Sequence, residues 1–228
     1  MNIGIIILCR YNSSRLPGKI LKEINGKPIL GYIIERLKQV CLSNTIVVAT
    51  SNENTDDPIG DYCIREGVSC FRGSLNNVAD RFVSCAETFG FDFAFRINGD
   101  NIFVDLNLVR DAIDIAKTGK YSFISNIDKR TYPKGMSIEG ILTQLYRNKI
   151  DEFTSYELEH VMPYFYSHAH EIEHFFIYNK DVPELAGVQL AIDTQEDLDL
   201  ANFVISKFTK GHHNYGLLEI SRILKERL

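Results

Sequence analysis

Cationic and hydroxyl side chains cluster directly after the first apolar run of the sequence. The segment CRYNSSRLPGK at 9–19 contains three cations, two serines and a glycine, namely Arg10, Ser13, Ser14, Arg15, Gly18 and Lys19. Guanidinium groups match the geometry of phosphate oxygens, and backbone amides exposed beside a glycine add positive dipole. We therefore predict that this loop holds the phosphates of a triphosphate, in preference to being a solvated basic turn.

Gly18 and Lys19 resemble the end of a Walker A loop, the phosphate-binding motif of many kinases and ATPases. That motif requires Gly at position 13 and Ser or Thr at position 20. The chain has Ser13 and Ile20 at these positions, so the sequence excludes a loop of the Walker A type.

Two carboxylates each follow an apolar run. Asp100 comes after the run at 93–97, in the segment RINGDN, and Asp193 follows the run at 188–192. Asp100 taken alone is equally typical of a turn or a helix cap. Thr194 and Asp197 have the spacing of a capping box, which leaves Asp193 unexplained. Two carboxylates beside a triphosphate site are suited to Mg²⁺, so we predict that Asp100 and Asp193 hold this ion.

Short apolar runs alternate with stretches of helical periodicity over most of the chain. The predicted strands cover 3–8, 45–50, 69–71, 93–97, 121–125 and 188–192. The predicted helices cover 28–40, 57–66, 76–89, 106–118, 195–208 and 216–227. This alternation is typical of an α/β fold with a mostly parallel sheet and helices on both faces, in which ligands bind at the carboxyl ends of the strands.

Residues 130–180 interrupt this alternation with many aromatic and turn residues. We predict an insertion here that serves as a lid, a dimerisation arm or both, within a single domain covering 1–228. His168, His170 and His174 lie in this insertion, but their spacing matches no standard zinc motif. A polar surface or a dimer interface is the better interpretation, and we therefore expect a homodimer.

The composition is that of a globular protein with a small acidic excess. The 228 residues include 25 Lys and Arg against 30 Asp and Glu, which gives a net charge of −5. Proteins that coat nucleic acid or bind a membrane surface carry a basic excess instead, and no apolar run approaches the roughly 18 residues that span a bilayer. The five cysteines form no Cys-x-x-Cys pair, which favours reduced thiols in a cytoplasmic protein.

Several of these segments together resemble the cytidylyltransferases that make CMP-activated sugars, such as the CMP-Kdo and CMP-sialic acid synthetases. The resemblance is carried by RYNSSRLPGK at 10–19, NGKPIL at 25–30, VVATS at 47–51, NGD at 98–100 and IDTQEDL at 192–198. The SpsF-like proteins of spore-coat polysaccharide biosynthesis are the most similar branch, through the segments at 73–82, 132–139 and 159–163.

This resemblance implies a Rossmann-like nucleotidyltransferase fold of the glycosyltransferase-A type. It implies transfer of CMP from CTP to an acidic sugar of the ulosonic-acid type, with release of pyrophosphate, for surface polysaccharide or glycan biosynthesis. The nucleotide would be held by Arg10, Ser13, Ser14, Arg15, Gly18, Lys19, Arg81 and Asn98, with Arg10, Lys19 and Asp100 in catalysis. Mg²⁺ would be held by Asp100 and Asp193, and the acceptor sugar by Tyr132, Lys134, Glu139 and His160. No covalent intermediate is needed, because positioning and charge neutralisation suffice.

The chain departs from the family pattern near the expected acceptor site. Asn101 and Ile102 follow the Gly-Asp pair where relatives have Cys-Pro or Glu-Pro, and Asn98 precedes it where Thr or Gln is usual. Ser137 stands where an Asp is common. Two alternatives stay open. One is a related nucleotidyltransferase that uses another base or a sugar 1-phosphate, although its usual loop opens Leu-Ala-Gly-Gly, unlike Leu8-Cys9-Arg10-Tyr11. The other, which Asn101 and Ile102 keep open, is a weakened paralogue that binds nucleotide and acts as an assembly partner.

Overall fold

The computed structural model describes residues 1–13 and 15–226, so the predicted role of Ser14 lies outside the described residues. The strands are β1 (Ile3–Leu8), β2 (Glu23–Ile24), β3 (Lys27–Pro28), β4 (Ile46–Ser51), β5 (Ser69–Gly73), β6 (Phe93–Asn98), β7 (Phe123–Ser125), β8 (Glu139–Leu142) and β9 (His174–Phe176). The helices are α1 (Ile29–Leu37), α2 (Asp57–Glu66), α3 (Val78–Thr88), α4 (Leu106–Lys117), α5 (Thr143–Lys149), α6 (Ser155–His160), α7 (Pro163–Ser167), α8 (Gln195–Ser206) and α9 (Leu217–Lys225). None of the helices in these ranges has the length and apolar character needed to cross a lipid bilayer.

Seven of the strands form one sheet in the order β5-β4-β1-β6-β8-β7-β9. The first four are parallel, β8 runs antiparallel to both of its neighbours, and β9 is parallel to β7. The remaining two strands form a hairpin whose turn residues, Asn25 and Gly26, have φ values of 49° and 75°. Asn-Gly suits a hairpin turn with positive φ at both positions. The predicted α/β fold with a mostly parallel sheet is therefore confirmed.

Side chains of the central strands alternate between two apolar cores, one on each face of the sheet. Ile5 and Ile7 of β1 pack in the core that contains residues of α1, α4, α8 and α9. Ile6 and Leu8 pack in the opposite core, with residues of α3, α5 and α7. Because both faces of β1 are covered, its side chains are apolar throughout, as expected for a central parallel strand.

The predicted strand at 188–192 is wrong. Among the described residues this segment makes only an isolated bridge, between Lys134 and Gln189, and joins no sheet. The bridge includes the bond from the Leu190 amide to the Lys134 carbonyl at 2.9 Å, whereas the Ile192 amide donates to the Asp100 carbonyl at 3.2 Å. Leu190 and Ile192 are buried nonetheless. The apolar pattern therefore indicates that this segment is buried, and it does not indicate that the segment pairs with other strands in a sheet.

Residues 130–180 contribute directly to the main sheet. β8 lies between β6 and β7, and β9 forms the edge beside β7. The rest of the segment folds into α5, α6 and α7, whose aromatic side chains Tyr146, Tyr164 and Phe165 are buried in one of the two cores. The aromatic residues of this segment thus have a packing role, while its use as a lid or dimerisation arm stays a prediction.

Candidate active site

Two adjoining cavities lie at the carboxyl ends of β1 and β6. The smaller, here called the phosphate cavity, has a volume of about 250 Å³ and is lined by the loop at 9–20 together with Asp100 and Asp193. The larger, here called the acceptor cavity, has a volume of about 740 Å³ and extends toward β8 and α6. They share the wall residues Leu8, Cys9, Arg10, Asn98 and Asp100. A ligand can therefore lie across both.

The loop at 9–20 is closed by its own backbone hydrogen bonds. The Gly18 amide donates to the Tyr11 carbonyl at 3.0 Å, and the Lys19 amide donates to the Leu16 carbonyl at 3.1 Å. Gly18 has a φ of 67°, and a Cβ there would lie 3.0 Å from the Tyr11 hydroxyl, so both conformation and space favour glycine. Buried Leu16 anchors the loop, leaving Arg10 and Arg15 exposed.

A buried carboxylate that the sequence reasoning missed fixes the start of this loop. Asp56 is 1% exposed and accepts the Tyr11 amide on Oδ1 at 2.7 Å. Its Oδ2 accepts the Thr50 hydroxyl at 2.7 Å, the Ser51 amide at 2.8 Å and the Ser51 hydroxyl at 2.6 Å. Burial opposes ionisation of Asp56, but these hydrogen bonds outweigh it and hold its pKa below the ordinary value. The signal in the sequence was the Thr-Ser pair that ends an apolar strand a few residues before an Asp.

The two predicted metal ligands converge on the same ammonium group. Lys19 Nζ lies 3.1 Å from Asp100 Oδ2 and 3.0 Å from Asp193 Oδ1, and it also donates to the Ile192 carbonyl at 2.8 Å. Arg15 contacts Asp193 at 2.9 Å from the solvent side. The structure thus brings Arg15 and Lys19 of one loop together with Asp100 and Asp193, which lie far from this loop in the sequence.

Local structure explains how the segments that carry Asp100 and Asp193 come close to Lys19. Thr194 and Asp197 form a reciprocal capping box at the start of α8, as predicted, and the Asp197 carboxylate also accepts the Asp193 amide at 2.9 Å. On the other side, a Cβ at Gly99 would lie 2.5 Å from Cys9 Cβ and 2.8 Å from Ile20 Cδ1. Only a glycine at position 99 lets the backbone before Asp100 approach the loop at 9–20, here called the phosphate loop, this closely.

A buried cation without an acidic partner lines the acceptor cavity. Arg81 is 3% exposed and donates to the Ser74 carbonyl at 2.6 Å, while its Nε has no hydrogen-bond partner among the described residues. No described carboxylate forms a salt bridge with it, and burial lowers its pKa. Burying a charged group costs free energy unless an opposite charge or hydrogen bonds compensate for the lost water. Arg81 together with Arg10 therefore makes this cavity receptive to an anionic or hydrogen-bond-accepting ligand.

The far wall of the acceptor cavity is a network built around Glu139. This carboxylate is 2% exposed, forms a salt bridge with Arg96 at 2.7 Å and accepts the Tyr166 hydroxyl at 2.8 Å. Arg96 also donates to the His160 carbonyl at 2.7 Å, which ties α6 to the sheet. The His160 ring lies against exposed Tyr156, with the ring centres 4.3 Å apart. The predicted acceptor residues Glu139 and His160 therefore do line the cavity.

Two other predicted acceptor residues lie elsewhere. Tyr132 packs against the apolar core that contains Leu190 and Ile192, and burial raises its pKa to about 12. Lys134 is engaged through its backbone with the 188–190 segment. Neither residue is among those that line the two cavities.

The departures from the family pattern have structural roles. Asn101 is buried and its side-chain amide donates to the Ser137 carbonyl at 3.0 Å, which joins the loop after β6 to the segment before β8. Ile102 is buried in the core. The Ser137 hydroxyl accepts a bond of 3.4 Å from Arg130, which lines the acceptor cavity. A serine at 137 leaves Arg130 without a carboxylate partner among the described residues.

Comparisons with known proteins agree on one family. A family model described as cytidylyltransferase matches residues 4–226. The spore coat polysaccharide biosynthesis protein SpsF of Bacillus subtilis is 31% identical over 206 residues, covering 87% of this chain and 84% of SpsF. A solved cytidylyltransferase from Leptospira borgpetersenii superposes with a TM-score of 0.91 at 32% identity, over all of this chain and 95% of that one. CMP:2-keto-3-deoxy-manno-octonic acid synthetase complexed with CTP shares the fold, with a TM-score of 0.67 at 17% identity over 91% of this chain and 99% of its own.

Proposed function

The chain belongs to the cytidylyltransferase family, and from this membership we propose that it transfers CMP from CTP to an acidic sugar and releases pyrophosphate. Members of this family are nucleotidyltransferases, so the chain is an enzyme, and the resemblance seen in the sequence is confirmed. The proposed acceptor is a ulosonic-acid type of sugar destined for a surface polysaccharide or glycan. The proposed substrates are cytoplasmic metabolites, which makes the cytoplasm the proposed site of the reaction.

The observation that carries the proposal is the convergence of Lys19, Asp100 and Asp193 in a cavity that opens into a larger one. A triphosphate laid across the two cavities would have its β- and γ-phosphates beside Arg15 and Lys19. Its nucleoside would extend into the acceptor cavity toward Arg81. Arg10 lines both cavities, which suits it to the phosphate at which the reaction takes place.

The donor set at Asp100 and Asp193 fits Mg²⁺. The described residues contain no group of three or more His, Cys, Asp or Glu side chains placed to hold a metal ion. Mg²⁺ is characteristically bound by one or two carboxylates with substrate phosphates and water completing its shell, so two acids beside a triphosphate site suffice. When bound, the ion would neutralise phosphate charge and polarise the phosphorus centre.

The chain's own residues would orient the two reactants and neutralise charge. Arg10 and Lys19 would hold the phosphates so that the acceptor hydroxyl attacks the α-phosphorus in line with the leaving group. The new oxygen–phosphorus bond forms as the bond to the bridging oxygen breaks, pyrophosphate leaves, and the hydroxyl proton passes to solvent. Cys9 lines both cavities, but burial raises the pKa of its thiol, which disfavours the thiolate that a nucleophilic role would need. Direct transfer is therefore the proposed route.

A pyrophosphate-release panel tests this proposal. We expect release only when CTP, an acidic sugar and Mg²⁺ are all present, with none after chelation by EDTA. The panel pairs each of four nucleoside triphosphates with acidic sugars and with sugar phosphates. Preference for another nucleotide or for a sugar phosphate would favour the related enzyme, and nucleotide binding without any release would favour the weakened paralogue.

We also propose that two copies associate through residues 130–180. Tyr156, which lines the acceptor cavity, is a large aromatic residue of this segment that is 62% exposed. Sedimentation velocity over a concentration series is expected to show a dimer. A species of monomer mass at every concentration would contradict this.

A further inference from the structure

The ammonium of Lys19 already has all of its hydrogen bonds satisfied by the protein. A lysine ammonium carries three N–H donors. Its three acceptors here are the Ile192 carbonyl at 2.8 Å, Asp193 at 3.0 Å and Asp100 at 3.1 Å. The Lys19 side chain is 15% exposed, so solvent contributes little. To contact a phosphate, this ammonium must give up at least one of these partners.

The position of the ammonium is that of a cation between two carboxylates. Asp100 and Asp193 would repel each other if no positive charge lay between them. Lys19 supplies that charge between the two acids, Arg15 adds a contact to Asp193 at 2.9 Å from the solvent side, and the neutral Ile192 carbonyl gives Lys19 a third contact that the backbone holds in place. The same two carboxylates are the ones that would ligate a divalent ion. An ion placed there would lie within a few ångströms of the ammonium, and the two positive charges would repel.

We propose that Lys19 acts as an internal cation that excludes divalent metal from Asp100 and Asp193 until a triphosphate draws its ammonium away. Phosphate oxygens offer Lys19 an alternative set of acceptors, and they bring the negative charge that a divalent ion needs. Metal and nucleotide then enter the site as a pair, and the free enzyme keeps the carboxylates neutralised. The identification of the excluded ion as the catalytic one rests on the proposed function, whereas the exclusion itself does not.

Mn²⁺ binding to the nucleotide-free protein tests this inference. Electron paramagnetic resonance reports free Mn²⁺ directly, and the measurement needs neither CTP nor an acceptor. We expect the wild-type protein to bind Mn²⁺ weakly and Lys19→Met to bind one ion about tenfold more tightly or better, because the ammonium is gone while the chain length is kept. Lys22→Met is the matched control, since it removes a nearby lysine that contacts neither carboxylate, and we expect wild-type affinity.

A double variant identifies the ligands. Lys19→Met combined with Asp193→Asn is expected to lose the gained affinity, which would show that the ion occupies the carboxylate pair. Circular dichroism checks that each variant is folded, and Lys19→Gln replaces the Met variant if that one does not fold. Equal Mn²⁺ affinity in the wild-type and Lys19 variants, whether tight or weak, would overturn the inference. If pyrophosphate release failed while the Mn²⁺ result held, only the proposed function would be lost.

Discussion

Replacement of Asp56 by Asn is expected to loosen the phosphate loop while leaving most of the fold in place. The two carboxylate oxygens of Asp56 have separate tasks. Oδ2 accepts three donors from Thr50 and Ser51, whereas Oδ1 accepts only the Tyr11 amide. The amide oxygen of Asn can take over the three donors of Oδ2. Its NH₂ group then faces the Tyr11 amide, so two donors oppose each other at the start of the loop.

The size of this effect follows from the bonds involved. A buried donor left unsatisfied costs about 1–3 kcal/mol, so Asp56→Asn should lower the free energy of unfolding by about that amount. Ordering the loop that holds Arg10 becomes less favourable in this variant. If about 1.4 kcal/mol of the lost stability must be recovered when CTP binds, the KM for CTP should rise about tenfold. The kcat should fall less, because Asp56 touches neither substrate. Asp57→Asn is the control, since Asp57 is exposed and pairs with Arg72 at the surface, where ion pairs contribute little.

The pH dependence gives a second, independent measurement. The pKa of Asp56 is lower in the folded protein than its ordinary value of about 4 in an unfolded chain. Its ionised form therefore stabilises the fold fully above about pH 4, and this contribution is lost as the pH falls through the folded-state pKa. Urea unfolding should show a constant stability difference between wild type and Asp56→Asn at neutral pH that shrinks in acid. An unchanged KM for CTP in a destabilised variant would refute the link between Asp56 and the loop.

Three further substitutions test other parts of the site. Asp100→Asn should lower kcat, measured by pyrophosphate release, at least about a hundredfold, with little loss of stability in thermal unfolding. The control Asp61→Asn, on the exposed face of α2, should change neither kcat nor stability. Arg81→Met should raise the KM for CTP about tenfold, because it removes the buried cation of the acceptor cavity; an unchanged KM in a folded variant would contradict the nucleotide role. Gly99→Ala should lower the free energy of unfolding by about 1–3 kcal/mol, because the added Cβ would clash with Cys9 and Ile20. By contrast, a Cβ at Gly60 in α2 would have no atom within 4 Å. Gly60→Ala should therefore raise the free energy of unfolding, measured in urea, by up to about 1 kcal/mol.

Elements with strong local signals were predicted well from the sequence. β1 and α2 have the predicted bounds, 3–8 and 57–66. A continuous apolar run explains the first. The second has Pro in its first turn and ends before Gly67, whose φ of 62° is typical of a helix C-terminus. Residues within a single helix or strand were sufficient for these predictions.

Elements that depend on distant partners were not predicted. β8 is only four residues long and is held by antiparallel pairing with β6 and β7, far away in the sequence. The segment at 188–192 shows the reverse case, since its apolar pattern comes from burial without pairing. Spacing along one chain reveals which residues are apolar, but it does not reveal which backbone groups will meet.

The same distinction applies to the site. The loop cations and Asp100 were identified because each follows an apolar strand, and parallel strands bring their carboxyl ends to one edge. Asp193 was identified by the same apolar pattern although 188–192 is no strand, and the bond from the Ile192 amide to the Asp100 carbonyl brings it to that edge. Asp56 was missed because the Thr-Ser pair before it is only a local signal, and its contact with the Tyr11 amide joins residues 45 positions apart. Tyr132 packs against the apolar core and lines neither cavity, and a match to a family segment does not reveal such packing.

The two cavities share one wall, but the acceptor cavity has a far wall of its own. Residues up to 20, together with 98–100 and Asp193, line the phosphate cavity, whereas the far wall of the acceptor cavity comes from 127–166. Substitutions in the latter stretch can thus reshape the sugar end while the nucleotide end keeps its geometry. Under the proposed function, new sugar preferences can evolve, or be engineered, by exchanging that stretch between relatives without rebuilding the machinery for CTP.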